Sequence, residues 1–201
     1  MLDPWCRRLI DPPLNAAGAV LARAGLGANT VTLAGLLIGL GAVPALAWGQ
    51  YGLALALIAA NRLADGLDGA VARARGASDR GGYLDIVADF AFYGLIPFGF
   101  ALADPERNAL PAAFVLASFM GTASSFLAFA ALAAKRGLTT TRRGHKSFYH
   151  LGGLAEGAET ILFLVAACLF PQWFPWLAWA FGALCWLTTL GRVAAGWRDL
   201  A

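Results

Sequence analysis

Apolar residues in this chain do not recur at a helical or strand period; they run together in six blocks, near 30–48, 51–74, 82–103, 109–134, 149–170 and 173–192. A bilayer core about 30 Å thick takes about 20 helical residues, so each block predicts a membrane-spanning helix. The second block has two halves. YGLALALIAA flows without a break into NRLADGLDGAVARAR, so the helix should run on past the bilayer, with its carboxylates near an interface. Ahead of the first block, residues 2–24 mix Trp5, Arg7, Arg8, Leu9, Ile10 and Leu14 with a Pro12-Pro13 break. That pattern suits a segment lying along the membrane surface, or else an untidy polar leader. The expected fold class is all-α: one integral membrane domain over 1–201, a bundle of six transmembrane helices with an N-terminal juxtamembrane surface helix.

Composition agrees. Hydrophobic residues make up 59% of the 201 positions and charged residues only 13%, against roughly 25% charged in soluble domains. The mean hydropathy is +0.64. A net charge of +3 would suggest a nucleic-acid partner in a soluble chain, but here membrane orientation accounts for the basic residues, and no nucleic acid is implied. With the N-terminus inside, the inner segments hold all of the 15 Lys and Arg except Arg107. The outward turns near Gly49-Gln50 and Pro171-Gln172 are uncharged and flanked by Trp48, Tyr51, Trp173 and Trp176, as an interfacial aromatic belt would be. Both termini are therefore expected in the cytoplasm. The first 15 residues contain no apolar run of signal-peptide length, so no cleavage is expected. Cys6, Cys168 and Cys185 show no CxxC spacing, which points to neither a disulfide nor zinc.

Four aspartates stand out. Asp65 and Asp68 lie near the inner end of the second helix, and Asp85 and Asp89 near the start of the third. Spacings of three and four put each pair on one helical face. The short link from Ala74 to Arg80 should return the chain as an antiparallel neighbour, letting the two faces meet. Such a wedge needs cations, and ligands that are all oxygen select a hard divalent ion, Mg²⁺ or Mn²⁺, with two ions matching the charge.

The pattern Asp65-x-x-Asp68-Gly69-x-x-Ala72-Arg73, seven residues, then Gly81-x-x-x-Asp85-x-x-x-Asp89 closely resembles the signature of the CDP-alcohol phosphotransferase (CDP-alcohol phosphatidyltransferase) family. Six spans, a surface helix before the first, and Asn29-Thr30 opening it also look like that family. The later stretch HKSFYHLGGLAEGAETILF looks most like a bacterial branch of it, which implies a place in a bacterial inner membrane. The resemblance implies transfer of a substituted phosphoryl group from a CDP-linked donor, usually CDP-diacylglycerol, to an alcohol, with release of CMP. Asp65, Asp68, Asp85 and Asp89 would hold the metals, and Asp89 would also take the proton of the attacking hydroxyl. Asp65, Gly69, Ala72, Arg73 and Gly81 would form the nucleotide site. The resemblance also implies a homodimer.

Glu156 and Glu159 lie one turn apart, about eight to eleven residues into the fifth expected span, at a depth similar to that of Asp89. With Arg142, Arg143, Lys146 and Arg192 they are the candidates for the acceptor pocket, and His145 and His150 border its mouth. The cations, with Lys135, would suit a phosphorylated acceptor, but most belong to a loop that orientation already explains. The glutamates would repel such an acceptor, so the balance favours an unphosphorylated small alcohol, amino alcohols included. Small-residue rows at Gly35-x-x-x-Gly39, Ala117-x-x-x-Gly121-x-x-x-Ser125 and Gly153-x-x-x-Gly157 would let helices approach closely, chiefly within the molecule. A competing reading, a small cation transporter or channel, explains the acids. It leaves Gly69, Ala72, Arg73 and Gly81 without a role.

Overall fold

The computed structural model describes residues 3–137 and 153–200, and side chains from residue 10 onward within them. Among the described residues the fold is all-helical: α1 (Asp3–Arg23), α2 (Ala28–Leu40), α3 (Ala42–Ala47), α4 (Tyr51–Arg75), α5 (Asp79–Ala103), α6 (Pro105–Lys135), α7 (Gly157–Leu169), a 3₁₀ turn (Pro171–Trp173) and α8 (Phe174–Asp199). Among the described residues, four helical stretches are long and apolar enough to cross a membrane: Ala28–Ala47, Asp79–Ala103, Pro105–Lys135 and Pro171–Asp199. α4 has the length, but Arg62, Asp65, Asp68, Arg73 and Arg75 make its C-terminal half polar. α7 is apolar but only 13 residues long, about 20 Å at ~1.5 Å per residue.

Three expectations change in detail. The first span divides at Gly41 into α2 and α3, because Pro44 has no N–H to offer the carbonyl of Leu40. Pro12 and Pro13 do not interrupt α1, which runs through both. The helix continues because its next turn is docked on α4: a Cβ on Gly18 would lie 2.5 Å from that of Ala70, and one on Gly66 would lie 2.6 Å from Leu14 Cδ1. Finally, the fifth helix starts at Gly157, later than expected, after a non-helical stretch from Gly153 to Glu156. The loop cations Arg142, Arg143 and Lys146, with His145 and His150, lie outside the described residues.

The apolar core fills one half of the bundle. Phe92, Ile96 and Phe100 form one stripe of α5, and Phe100 stacks on Phe174 at 4.3 Å while Phe163 stacks on Phe181 at 4.5 Å. Asp85 and Asp89 continue that stripe toward the N-terminus of α5, so one helical face changes from core to carboxylate over two turns. The outer surface stays apolar, with Leu37 69%, Met120 71% and Trp197 82% exposed, as suits side chains facing lipid. Gly35 and Gly39 press on Ala64, Asn61 and Phe92, and Gly121 on Thr189 and Trp186. These small-residue positions are used inside the chain. Gly153 likewise meets Thr188 of α8, but from the non-helical stretch before α7 rather than from within a helix.

Candidate active site

α4 ends at Gly76, whose φ of +99° is open to glycine and strained for other residues. Two residues later Ser78 caps α5 by accepting from the Gly81 backbone N–H at 3.1 Å. This tight return sets the C-terminal end of α4 opposite the start of α5. The acidic faces of α4 and α5 meet there, as expected, while along their lengths both helices pack on α2 more than on each other.

Asp65, Asp68 and Asp85 offer carboxylate oxygens that all lie within 4.8 Å of one another. Asp68 is buried at 4% exposure and accepts from Thr32 Oγ1 of α2 at 2.6 Å. Hard oxygen donors this close fit a divalent cation such as Mg²⁺ or Mn²⁺. Asp89 is arranged differently. Its Oδ1 takes Arg62 Nη1 at 2.8 Å, and the same nitrogen stands 3.6 Å from Asp65 Oδ2.

A cavity of about 720 Å³ opens beside these groups, bounded by α1, α4, α5, α6, α7 and α8. All four aspartates, Gly69 and Arg73 line it. A side chain on Gly69 would meet little but Arg73 Nη1 at 3.3 Å, so the missing Cβ leaves space on the cavity side. Arg73 is tethered to Asn15 Oδ1 of α1 at 2.8 Å. Ala72 and Gly81, also expected at the nucleotide site, do not line the cavity; Gly81 instead passes close to Asn29 Oδ1, where a Cβ would be 3.1 Å away.

The far wall carries Thr122, Phe126, Glu156, Thr160 and Arg192. Arg192 Nη1 donates to the Thr122 carbonyl at 3.1 Å and its guanidinium lies 5.8 Å from the Phe126 ring, while its buried Nε has no hydrogen-bond partner among the described residues. Glu156 and Glu159 are not mid-helix residues, as their expected depth required. Glu156 is the N-cap of α7, and Glu159 Oε2 accepts from the Glu156 N–H at 3.1 Å, a helix-start arrangement that satisfies an otherwise orphan donor. Glu156 Oε1 accepts from the Gly153 N–H at 3.0 Å. Glu156 lines the cavity; Glu159 does not.

Sequence reasoning missed Thr32, Asn61, Arg62 and Tyr93. Arg62 carried the strongest signal, being an ionisable residue inside an apolar helix.

Fold and site together define a helical membrane-type protein with an acidic cavity whose carboxylates could hold a cation. A family model for CDP-alcohol phosphatidyltransferase matches residues 26–190, and the chain belongs to that family. It is thus a transferase that moves a phosphatidyl group from a CDP-linked donor to an alcohol; the transporter reading finds no support. The chain is 55% identical over 200 residues to inner membrane protein YnjF of Escherichia coli (strain K12), covering all of this chain and 97% of that one. The fold is also that of phosphatidylinositol phosphate synthase from Mycobacterium tuberculosis. The structure with CDP-DAG bound superposes with a TM-score of 0.73 at 23% identity, over 92% of this chain and 93% of that one. The complex with manganese and citrate gives 0.72 at 22%, over 92% and 88%.

Proposed function

We propose that this chain transfers a phosphatidyl group from CDP-diacylglycerol to the hydroxyl of a small alcohol, releasing CMP, in phospholipid synthesis. The observation that carries the reading is the meeting of Asp65, Asp68 and Asp85 oxygens within 4.8 Å at a cavity lined by Gly69 and Arg73, in a chain of this family. The mycobacterial neighbours, one with CDP-DAG and one with manganese, support a lipid-linked donor and a divalent cofactor, Mg²⁺ or Mn²⁺. Asp65, Asp68 and Asp85 would hold the metal, which would supply polarisation of the diphosphate and charge stabilisation for the departing CMP.

The chain's own residues do the rest. Gly69 leaves room for the nucleotide, and Arg73, oriented by Asn15, presents its guanidinium to phosphate. Ala72 and Gly81 keep this corner small without bordering the cavity. Asp89 takes the acceptor's proton as general base; for it also to join a two-ion set, it must exchange Arg62 for metal. The acceptor sits toward Glu156 and Arg192, whose opposite charges suit a neutral, hydrogen-bonding alcohol better than a strongly anionic one. Arg142, Arg143 and Lys146 remain acceptor candidates from outside the described residues.

In the same reading α4 and α7 join the four long apolar helices to make six spans of a single domain over 1–201. α1 lies along the membrane surface. Both termini and the cavity face the cytoplasm, since nearly all Lys and Arg then lie inside. A homodimer belongs to this reading too, with an interface away from Gly35, Gly39 and Gly121, which are packed within the chain.

The experiment is to supply purified protein with CDP-diacylglycerol, Mg²⁺ or Mn²⁺ and a panel of alcohols, and to identify the lipid product. A neutral or amino alcohol as sole acceptor agrees with this account. Activity confined to phosphorylated alcohols, lost in Arg192→Ala, contradicts the acceptor assignment.

A further inference from the structure

We propose that Thr188 is a positioning residue for the acceptor: from α8 it fixes the non-helical stretch from Gly153 to Glu156, and so sets where Glu156 faces the cavity relative to Arg192. The inference rests on the acceptor placement proposed above. Thr188 is 2% exposed and does not border the cavity, whereas Ala155, Glu156 and Arg192 do. It therefore acts through the backbone beside it. Its Oγ1 accepts from the Ala155 N–H at 2.8 Å and donates to the Leu184 carbonyl at 3.0 Å. A hydroxyl has one hydrogen to give, so with that hydrogen on Leu184 its oxygen is oriented to accept from Ala155.

Two further N–H groups of the stretch are satisfied within it and the first turn of α7. Gly153 donates to Glu156 Oε1 at 3.0 Å, and Glu156 donates to Glu159 Oε2 at 3.1 Å. These bonds shape the turn without tying it to the bundle. The bond from Ala155 to Thr188 ties it, because it crosses to another helix. Packing adds to this hold: a Cβ on Gly153 would collide with Thr188 Cγ2 and lie 3.4 Å from Arg192 Nη2, so the backbone rests on α8 with no room for a side chain. Thr188 and Arg192 stand one turn apart on one face of α8. One turn of one helix thus holds Arg192 directly and Glu156 through Thr188, and the separation of these two charged groups selects which acceptors can span them.

The test is steady-state kinetics of the purified full-length chain with CDP-diacylglycerol and Mn²⁺, and with glycerol, ethanolamine and serine as acceptors. Thr188→Val keeps the volume and loses the hydroxyl. It should raise the acceptor's KM by about fivefold or more, with kcat and the KM of CDP-diacylglycerol within about twofold of wild type. Thr188→Ser should keep the wild-type KM. Gly153→Ala, which pushes the stretch off α8, should raise the same KM. Adding Thr188→Ser to Gly153→Ala removes the colliding Cγ2, keeps the hydroxyl and should bring the KM back, which decides the matter even where Thr188→Val does not fold. Thr188→Val with a lower Tm and an unchanged acceptor KM would make the residue merely structural and overturn the inference. So would a Gly153→Ala enzyme with a normal KM, or one whose defect Thr188→Ser leaves in place. Glu156→Gln tells this failure from a failure of the acceptor placement: if it too leaves the acceptor's KM unchanged, or if none of the three alcohols is turned over, that placement is wrong and this inference falls with it.

Discussion

Thr32 Oγ1 lies 2.6 Å from Asp68 Oδ2, joining α2 to the acidic face of α4 in a buried contact. The hydroxyl also reaches the Ala28 carbonyl, at 3.1 Å, so it is held from its own helix while it fixes the orientation of the carboxylate. A hydrogen bond to a charged group is worth about 1.5–3 kcal/mol. Thr32→Val should therefore weaken Mn²⁺ binding by about tenfold or more, and Thr32→Ser should restore it. Calorimetric titration of the three proteins checks this; an unchanged affinity in Thr32→Val would separate Thr32 from the metal site.

Each of Asp65→Asn, Asp68→Asn and Asp85→Asn removes an anionic oxygen from a cluster whose members lie within 4.8 Å of one another. All three should lose Mn²⁺ binding and CMP release together. Asp89→Asn should lose CMP release while still binding the CDP-linked donor, because the missing group acts on the acceptor's proton. Donor binding followed by nucleotide protection, beside turnover, distinguishes the two patterns.

Gly69→Leu places a branched side chain where, among the described residues, only Arg73 Nη1 now stands within 4 Å of a Cβ. Donor affinity should fall by about tenfold or more, with metal binding kept. Equal donor affinity in this variant would move the nucleotide away from Gly69.

Glu156 and Glu159 should separate in their effects. Glu159→Ala removes the acceptor for the Glu156 N–H and should cost about 0.5–2 kcal/mol of stability, read as a lower Tm, without changing the acceptor's KM. Glu156→Gln should raise the acceptor's KM and leave that of CDP-diacylglycerol unchanged, since Glu156 alone of the two lines the cavity.

Much of this arrangement was legible in the sequence. Unbroken apolar runs set the long helices, and the spacing of Asp65, Asp68, Asp85 and Asp89 marked the site before any contact was known. What was not legible depends on neighbours. Pro12-Pro13 signals a break, yet α1 continues because Gly18 and Leu14 dock it on α4. The late start of α7 follows from Glu156 and Glu159 acting as a cap, which apolar content alone does not reveal. Thr32 and Arg62 lie outside the eight fixed positions of the motif. Their roles appear only once α2 packs against α4 and α5, and α4 and α5 bring Arg62 to Asp89.

The central claim is metal-dependent transfer at the aspartate cluster, and the most direct measurement is CMP release from CDP-diacylglycerol by purified protein with an alcohol panel. Wild type and Asp68→Asn are compared, each with Mn²⁺ and with excess chelator. The account expects CMP and a new phospholipid from wild type with metal only, and neither from Asp68→Asn. CMP release that persists under chelation, or equal turnover by Asp68→Asn, would contradict it.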